Sequence, residues 1–391
     1  MRVKSEPAET ASTSSPETLT DSERRLITVL ALHGQLAKRD LSAKTGLSWA
    51  TVVKIVGRFE RCGIVRRTGT APRDAVDGGK SAYLYRLEDG YGHVLGIDVE
   101  YSRTRLVAKA LSGAVARSME IPSPNGPSLK SFLSFLAGSI EAMDAGIPGR
   151  LLGIGVGMPL WMVRGGATLH REVFRRVEEA LAGRYRVPTR VHNNIRAYAT
   201  NLAHKSNGAG DFLLVTIRTG LGFGMYLGGD VIRGSDGLAG EMAHMQIDPD
   251  GLACRCGRRG CLETVVNENA IVRDYCARKG CGASTLSEIA GRAARGDQAA
   301  VSVLENAASR LAVAVSAVIL LLDIPEIVLA AAFGREGRVF TGMLERHLKN
   351  AIFPHPGLRV RYDSLDSDGF LHGAALLVLR DYYDYEVASP G

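Results

Sequence analysis

Residues 240–263 read GEMAHMQIDPDGLACRCGRRGCLE, and this stretch carries the strongest chemical signal in the chain. Cys254, Cys256 and Cys261 lie within eight residues, and His244 lies ten residues before the first of them. Three thiolates and one imidazole complete a tetrahedral zinc site. Because four protein ligands leave no open position, the spacing predicts one structural zinc ion per chain. The alternative is a set of free thiols, which the density of Cys and Gly disfavours.

The composition around this stretch is that of a globular protein with two or three domains. The chain has 391 residues, of which 46% are hydrophobic and 23% charged. This balance excludes a disordered, collagen-like or disulfide-scaffold protein. The longest apolar run, Leu311 to Leu322, is shorter than the roughly 18 residues of a membrane span, and residues 1–20 have no apolar signal region. We therefore expect a cytoplasmic protein without a membrane partner.

The basic charge of the chain is concentrated in one segment. Residues 24–86 contain 13 basic and 4 acidic side chains, whereas the net charge of the whole chain is +7. A segment of this size and charge is typical of a small DNA-binding module. A solvated basic surface is the alternative that charge alone leaves open.

Helical spacing within this segment predicts a helix-turn-helix. From residue 48 onward, one face is apolar, with Val52, Ile55, Val56 and Phe59. The candidate DNA-contacting residues of the second helix are Ser48, Trp49, Thr51, Lys54 and Arg58. Two strands, 64–67 and 82–87, enclose a glycine-rich loop with Lys80, which completes a wing. The alternative is a three-helix adaptor with no nucleic acid partner.

The remaining chain alternates strands with helices. Apolar runs at 93–99 and 151–158 predict buried strands, and Arg103 to Ala110 predicts a strand before a hairpin turn. Long helices are predicted near 128–145 and 298–322. This alternation predicts an α/β core with a parallel-rich sheet. These roughly 300 residues are more than a single hydrophobic core usually holds, so we expect two lobes.

These motifs together resemble the ROK family (repressors, open reading frames and sugar kinases), in particular its repressor branch. The resemblance rests on the Gly-rich run 220–224, on Gly240-Glu241-x-x-His244, and on Cys254-x-Cys256-Gly257-x-x-Gly260-Cys261-Leu262-Glu263. It covers nearly the whole chain after residue 20. It implies a winged helix-turn-helix followed by a two-lobed, actin-like (ribonuclease H-like) sugar-kinase fold.

The resemblance also implies domain limits. A disordered tail would occupy residues 1–20 and the winged helix-turn-helix residues 21–89. The first lobe would span 90–200 and be joined by a C-terminal helix at 370–383. The second lobe, with the zinc loop, would span 201–369.

Kinases of the family bind ATP and a hexose between the lobes, and several positions of this chain depart from their pattern. The first phosphate loop reads Gly-Ile-Asp-x-Gly-Gly-Thr in the family, but Glu100 and Tyr101 replace the two glycines here. The catalytic Asp that follows an Asn in the family is Asn194, and an amide cannot accept a proton near neutral pH. Residues 330–333 replace a Gly-Gly-Gly nucleoside contact. The resemblance therefore implies a protein without catalytic residues.

The family's sugar contacts survive in part. The matching positions are Asn193, Glu241, His244 and Glu263, and Asn194 is expected beside them. Carboxylates and amides suit sugar hydroxyls, because they accept and donate hydrogen bonds in pairs. The alternative for Glu241 and Glu263 is an inherited support for the zinc loop.

The sequence thus predicts a DNA-binding transcriptional regulator, most simply a repressor. The kinase-like domain would serve dimerisation and the sensing of a sugar or sugar-derived effector. The partner would be a double-stranded operator bound by a homodimer or a dimer of dimers. One rival is an active ATP-dependent sugar kinase with a DNA-binding arm, and another is a protein-binding scaffold that has lost its sugar site.

Overall fold

The computed structural model describes residues 19–71, 82–163, 167–206, 210–235, 237–280, 285–365 and 367–384. Its internal contacts divide the chain into two compact units. Unit 1 is Met1–Val191 with Ala374–Gly391, and unit 2 is His192–Gly373. The domain limits given above remain predictions.

Unit 1 begins with a winged helix-turn-helix. Its elements are α1 (Asp21–His33), β1 (Gln35–Ala37), α2 (Lys38–Thr45), α3 (Trp49–Arg61), β2 (Val65–Thr70) and β3 (Tyr83–Leu87). Strand β3 pairs antiparallel with both β1 and β2. Gly46, at a φ of 68°, ends α2 and makes the turn into α3. The fully buried Leu26, Leu41 and Phe59 form the core beneath these helices.

The described structure starts two residues before the predicted beginning of α1. Leu19 is buried, and Thr20 rather than Asp21 is the N-cap of α1. The Thr20 hydroxyl accepts a hydrogen bond from the Glu23 amide, while the Glu23 carboxylate accepts one from the Thr20 amide. This capping box fixes the start of the helix. The predicted tail at residues 1–18 lies outside the described residues.

The sheet of unit 1 has five strands. They are β4 (Gly92–Val99), β5 (Arg103–Ala110), β6 (Val115–Pro122), β7 (Arg150–Met158) and β8 (Thr189–Asn193), in the order β6-β5-β4-β7-β8. Strand β4 pairs antiparallel with β5 and parallel with β7. The helices that follow are α4 (Leu129–Asp144) and α5 (Ala167–Tyr185).

Unit 2 repeats this arrangement. Its strands are β9 (Phe212–Ile217), β10 (Leu221–Leu227), β11 (Asp230–Val231), β12 (Glu326–Ala331) and β13 (Arg359–Asp363), in the order β11-β10-β9-β12-β13. In both sheets an antiparallel meander is extended by two further strands. This repeated order is the actin-like architecture, so the predicted fold class is confirmed. The edge strand β13 was not predicted, because its exposed arginines hide the apolar pattern.

The helices of unit 2 enclose its core. They are α6 (Asn194–Lys205), α7 (Glu268–Lys279), α8 (Leu286–Ala294), α9 (Gln298–Leu322) and α10 (Gly337–Ala351). Among the described residues, α9 alone is long and apolar enough to cross a membrane, and 56% of its most apolar window is buried inside the protein. It packs against α7, α8 and α10, which identifies it as a core helix.

The last helix, α11 (Ser367–Leu379), begins in unit 2 and ends in unit 1. Its second half packs closely on the sheet of unit 1. A Cβ atom added to Gly155 would lie 1.8 Å from the carbonyl oxygen of Ala374. Glycine in β7 is therefore required for the helix to approach the strand.

Candidate functional site

The four predicted metal ligands converge in unit 2. The ligand atoms of His244, Cys254, Cys256 and Cys261 all lie within 4.8 Å of one another. The Cys256 and Cys261 sulfurs are 3.6 Å apart, and the Cys254 sulfur is 3.5 Å from Nδ1 of His244. Bonds of about 2.3 Å to sulfur and about 2.0 Å to nitrogen imply ligand separations of roughly 3.5–3.8 Å in a tetrahedron. The cluster therefore has the dimensions to hold one tetrahedral metal ion.

Tight turns present these ligands. Within the first turn, the amide of Gly257 donates to the carbonyl of Cys254 at 3.0 Å, and the amide of Cys254 donates to Arg258 at 2.8 Å. Gly257 has a φ of 88°, and Gly260 has a φ of 65°. A Cβ atom on Gly260 would lie 1.4 Å from the Asp248 carbonyl oxygen, so only glycine fits there. The Gly residues between the cysteines thus make the ligand spacing possible.

The environment of the cluster favours a bound cation. Burial, together with hydrogen bonds to the other two thiols, raises the pKa of Cys261 to about 12. Burial would also raise the pKa of Cys256, but hydrogen bonds from Arg258 and its neighbours bring it below the ordinary value. Burial lowers the pKa of His244, which keeps the ring neutral near pH 7. A divalent cation bound here would displace the thiol protons and balance the negative charge of the resulting thiolates, because metal ligands must be deprotonated.

Glu263 lies against the cluster and is held by an arginine. Its side chain is 8% exposed and lies 3.9 Å from Nδ1 of His244. Arg255 approaches the Glu263 carboxylate at 3.1 Å and also donates to the carbonyl of Thr219 at 3.4 Å. The amide of Leu221 donates to the same carboxylate at 3.4 Å. Glu263 therefore supports the cysteine loop, whatever else it binds.

Asn193 and Glu241 form a second pair in unit 2. The side-chain amide of Asn193 donates to the Glu241 carboxylate at 3.1 Å, while its oxygen caps α6 by accepting from Ile195. Burial raises the pKa of Glu241, and Arg196 and Asn193 oppose that rise. The buried Arg196 donates to the carbonyls of Gly237 at 2.6 Å and Ala239 at 2.7 Å. Arg196 thereby holds the loop that leads into the Gly-Glu-x-x-His motif.

Asn194 is half-buried and begins α6, directly after the Asn193 cap. The Gly-rich run beside it lies in the hairpin of β9 and β10. A Cβ atom on Gly222 would lie 2.6 Å from the Ile195 side chain, so this glycine admits helix α6. Four of the five predicted sugar-contact residues thus form two pairs, Asn193 with Glu241 and His244 with Glu263.

The position of the family's first phosphate loop is the turn between β4 and β5. Asp98 is fully buried and pairs with Arg105 across the two strands at 2.7 Å. Glu100 lies 3.6 Å from Arg105 and 3.6 Å from Arg103, and its amide donates to the Arg103 carbonyl at 2.8 Å. The turn is therefore closed by its own charged side chains. Tyr101, 46% exposed, extends from its tip.

Two of the predicted DNA-contacting side chains of α3, Thr51 and Arg58, have partners within the domain. Ser48 caps the helix, accepting from the Thr51 amide at 3.2 Å, and the two hydroxyls are 2.8 Å apart. Arg58 pairs with the buried Glu23 of α1, so it stabilises the domain internally. The exposed side chains of the helix are Trp49, Ala50, Val53, Lys54 and Arg61.

Some of the other basic side chains of the winged domain form ion pairs within it, and others do not. Arg67 pairs with Glu60 at 2.7 Å, and Arg66 pairs with Glu88 at 2.7 Å. Among the described residues, Lys44, Lys54 and Arg61 are exposed and make no ion pair. The predicted wing residue Lys80 lies outside the described residues.

The C-terminal segment of unit 1 contacts the winged domain. Asp384 pairs with Arg25 of α1 at 3.2 Å, and its amide donates to the Thr28 hydroxyl at 2.7 Å. Tyr382 and Tyr383 donate to the carbonyls of Leu152 and Leu111. One short segment therefore joins α1 to the first sheet.

Sequence reasoning missed three charged partners: Arg105, Arg255 and Glu23. Arg105 left only a weak signal, because Arg103, Thr104 and Lys109 also interrupt the apolar pattern of its strand. Glu23 and Arg255 left none, since their partners lie 35 and 8 residues away and only folding brings them together.

These features define a winged helix-turn-helix joined to a two-unit, actin-like domain with a His/Cys cluster. Residues 151–381 match the model of the ROK family, and the chain belongs to that family.

Relatives in the family include enzymes and regulators. The chain is 26% identical to a glucokinase of Halalkalibacterium halodurans over 73% of its own length and 94% of the relative's. It is 25% identical to the DNA-binding transcriptional dual regulator NagC of Escherichia coli, over 80% of each chain. A crystal structure of a ROK family transcriptional regulator, a homologue of the E. coli MLC protein, superposes with a TM-score of 0.70 at 23% identity. That match covers 94% of this chain and 98% of the other.

Proposed function

We propose that this protein is a DNA-binding transcriptional regulator, most simply a repressor, that acts in the cytoplasm. The observation that carries the proposal is the exposed face of α3, which presents Lys54 and Arg61 at the expected position of a recognition helix. Relatives named as regulators match 80% and 94% of the chain. Its partner would be a double-stranded operator.

In this proposal the kinase-like domain does not catalyse phosphoryl transfer. Glu100 adds negative charge where a nucleoside triphosphate would have to approach the turn. Asn194 cannot act as a general base, because an amide does not accept a proton near neutral pH. The closed ion pairs around Asp98 support the same conclusion. The rival function, an ATP-dependent sugar kinase, is favoured by the relatives named as kinases, which include a glucokinase and an N-acetylmannosamine kinase.

The metal in the cluster would be zinc, at one ion per chain. One nitrogen and three sulfur ligands are a typical structural zinc set. Its role would be to hold the cysteine loop, and with it His244 and Glu263, in place. Asn193, Asn194, Glu241, His244 and Glu263 would then bind the hydroxyls of a sugar or sugar-derived effector.

A dimer would match a two-fold operator. Unit 2 carries exposed apolar side chains that suit such an interface: Val313, Leu320, Leu321 and Phe353, the last two 81% and 85% exposed. Val313, Leu320 and Leu321 lie on the same helix, α9, and would take part in such an interface. The C-terminal contacts of Asp384 with α1 would carry the effector's influence to the DNA-binding domain.

Duplex binding measured against salt tests the proposal. Full-length protein should bind selected DNA with a steep negative slope of log K against log salt, because phosphate contacts release counterions. Lys54→Ala should reduce that slope by about one unit. Lys349→Ala, on an exposed helix of unit 2, is the matched control and should leave the slope unchanged. An unchanged slope in the Lys54 variant would remove α3 from the interface.

A thermal-shift panel of hexoses and hexose derivatives tests effector binding separately. A sugar that raises the melting temperature of the wild type but not of Glu241→Ala supports the sensing role. No shift with any sugar, together with intact DNA binding, would favour the scaffold alternative for the kinase-like domain.

A further inference from the structure

Helix α3 exposes an apolar patch in its first two turns. Trp49 is 58% exposed at the first helical position, and Val53, one turn later, is 38% exposed. Ala50, beside Trp49, is also exposed. We call Trp49, Ala50 and Val53 the α3 patch. Exposure of an indole ring to water is unfavourable, which points to a partner that covers it.

Three polar side chains of α3 near the patch, those of Ser48, Thr51 and Arg58, already have partners within the domain. The Ser48 hydroxyl accepts from the Thr51 amide and bonds the Thr51 hydroxyl at 2.8 Å. Arg58 is held by Glu23. The side chains at the start of α3 that remain to meet a partner are therefore mainly apolar.

The charges around the patch indicate the class of partner. Lys44, Lys54 and Arg61 are exposed and unpaired among the described residues. Lys54 follows Val53 directly, and Arg61 lies at the far end of the same helix. A helix that exposes both an apolar patch and cations fits duplex DNA, because the cations can contact phosphates while the patch meets the bases. The N-terminal residues of a recognition helix are the ones that reach base edges in the major groove.

We propose that the α3 patch recognises the methyl groups of thymine. This inference rests on the proposed DNA-binding function and adds its specificity. The C5-methyl of thymine is the apolar group that the major groove offers, and the O4 acceptor lies beside it. Trp49 can cover a methyl group with its ring and donate its indole N–H to such an acceptor. Val53 provides a second, purely apolar contact.

The test uses full-length protein and two versions of each DNA binding site, one with thymine and one with uracil at a chosen position. Binding sites are first selected from a random duplex library, and each thymine is then replaced singly by deoxyuridine. This change removes the methyl group and preserves base pairing. At one or two positions per half-site, binding should weaken about fourfold, the factor that burial of one methyl group corresponds to.

Variants assign the effect to the patch. Trp49→Ala should weaken binding to the thymine duplex and abolish the difference between thymine and uracil at one position. Lys54→Ala should weaken both duplexes equally. Leu32→Ala, which removes an apolar side chain 48% exposed on α1, should change neither. Because Trp49 and Leu32 are exposed, both variants should fold, and their melting temperatures check this.

The possible failures are distinguishable. Failure to select any duplex, at low salt as well as high, would overturn the proposed function. Selected sites that bind equally well with uracil at every position would overturn the inference alone. So would a Trp49→Ala variant that keeps the full discrimination, or one that alters the oligomeric state without changing DNA affinity.

Discussion

The turn between β4 and β5 in unit 1 and the segment 241–263 in unit 2 have diverged to different degrees from the family's pattern. In the turn, Glu100 and Tyr101 replace glycines, and Asp98 is engaged by Arg105. In the segment of unit 2, the histidine, the three cysteines and both glutamates are retained. The two regions are comparable because their sheets have the same strand order.

The difference follows from what each region contributes to folding. A phosphate loop needs glycines only to leave space for a ligand, so their loss costs the fold nothing, and new side chains can pair with one another. The ligands of a structural metal contribute folding free energy directly, so their loss destabilises the domain. Under the proposed function, the chain can therefore alter the turn but not the cluster.

Removal of one metal ligand should have the largest effect. Cys256→Ser should abolish stoichiometric zinc and lower stability by more than about 4 kcal/mol, the range of a lost metal site. The melting temperature of unit 2 should fall on the order of 10 °C. Metal analysis and calorimetry measure both quantities, with Cys276→Ser as the control. Freshly purified wild type without zinc would contradict the assignment.

Breaking the ion pair in the turn should have the next largest effect. Arg105→Ala leaves the carboxylate of Asp98 buried without its partner, which should cost about 3–5 kcal/mol. Arg103→Ala, at a side chain 38% exposed, should cost no more than about 1 kcal/mol. Chemical denaturation of both variants measures the difference. Equal stabilities would mean that the turn is not held by its charges.

The smallest effect is expected on sugar phosphorylation when Asn194 is changed to the aspartate that the family's kinases have at this position. The wild type should not phosphorylate any hexose with ATP, and Asn194→Asp should not either. A carboxylate base helps only when the γ-phosphate is positioned, and positioning contributes on the order of 7–11 kcal/mol. Glu100 and Tyr101 oppose that positioning.

A coupled assay measures the rate of ATP-dependent hexose phosphorylation, with the related glucokinase as the positive control. The triple variant, with Glu100→Gly and Tyr101→Gly added to Asn194→Asp, should recover at most a trace rate. Turnover by the wild type would refute the loss of activity. Turnover by the single variant would show that the turn still admits a nucleotide.

Local chemistry explains why parts of the site were predictable. The cysteine spacing and its glycines specify a metal loop over a short distance, and the four ligands do converge. The apolar face of α3 was predicted for the same reason, since Val52, Ile55, Val56 and Phe59 are all buried. The DNA contacts assigned to the other face remain predictions. The structure adds that Thr51 bonds the helix cap and that Arg58 pairs with Glu23.

By itself, the sequence determined the α/β fold class, the alternation of most strands and helices, and the four residues that form the His/Cys cluster. These depend on periodicity and on spacings of a few residues, which a chain carries locally. Only the tertiary structure decided which charges remain available to a partner. Arg58 and Arg105 find their carboxylates through helix packing and strand pairing, respectively. A buried carboxylate is tolerated only when it is paired. Arg58 and Arg105 therefore pair with buried carboxylates, whereas Lys54 and Arg61 remain exposed at the surface.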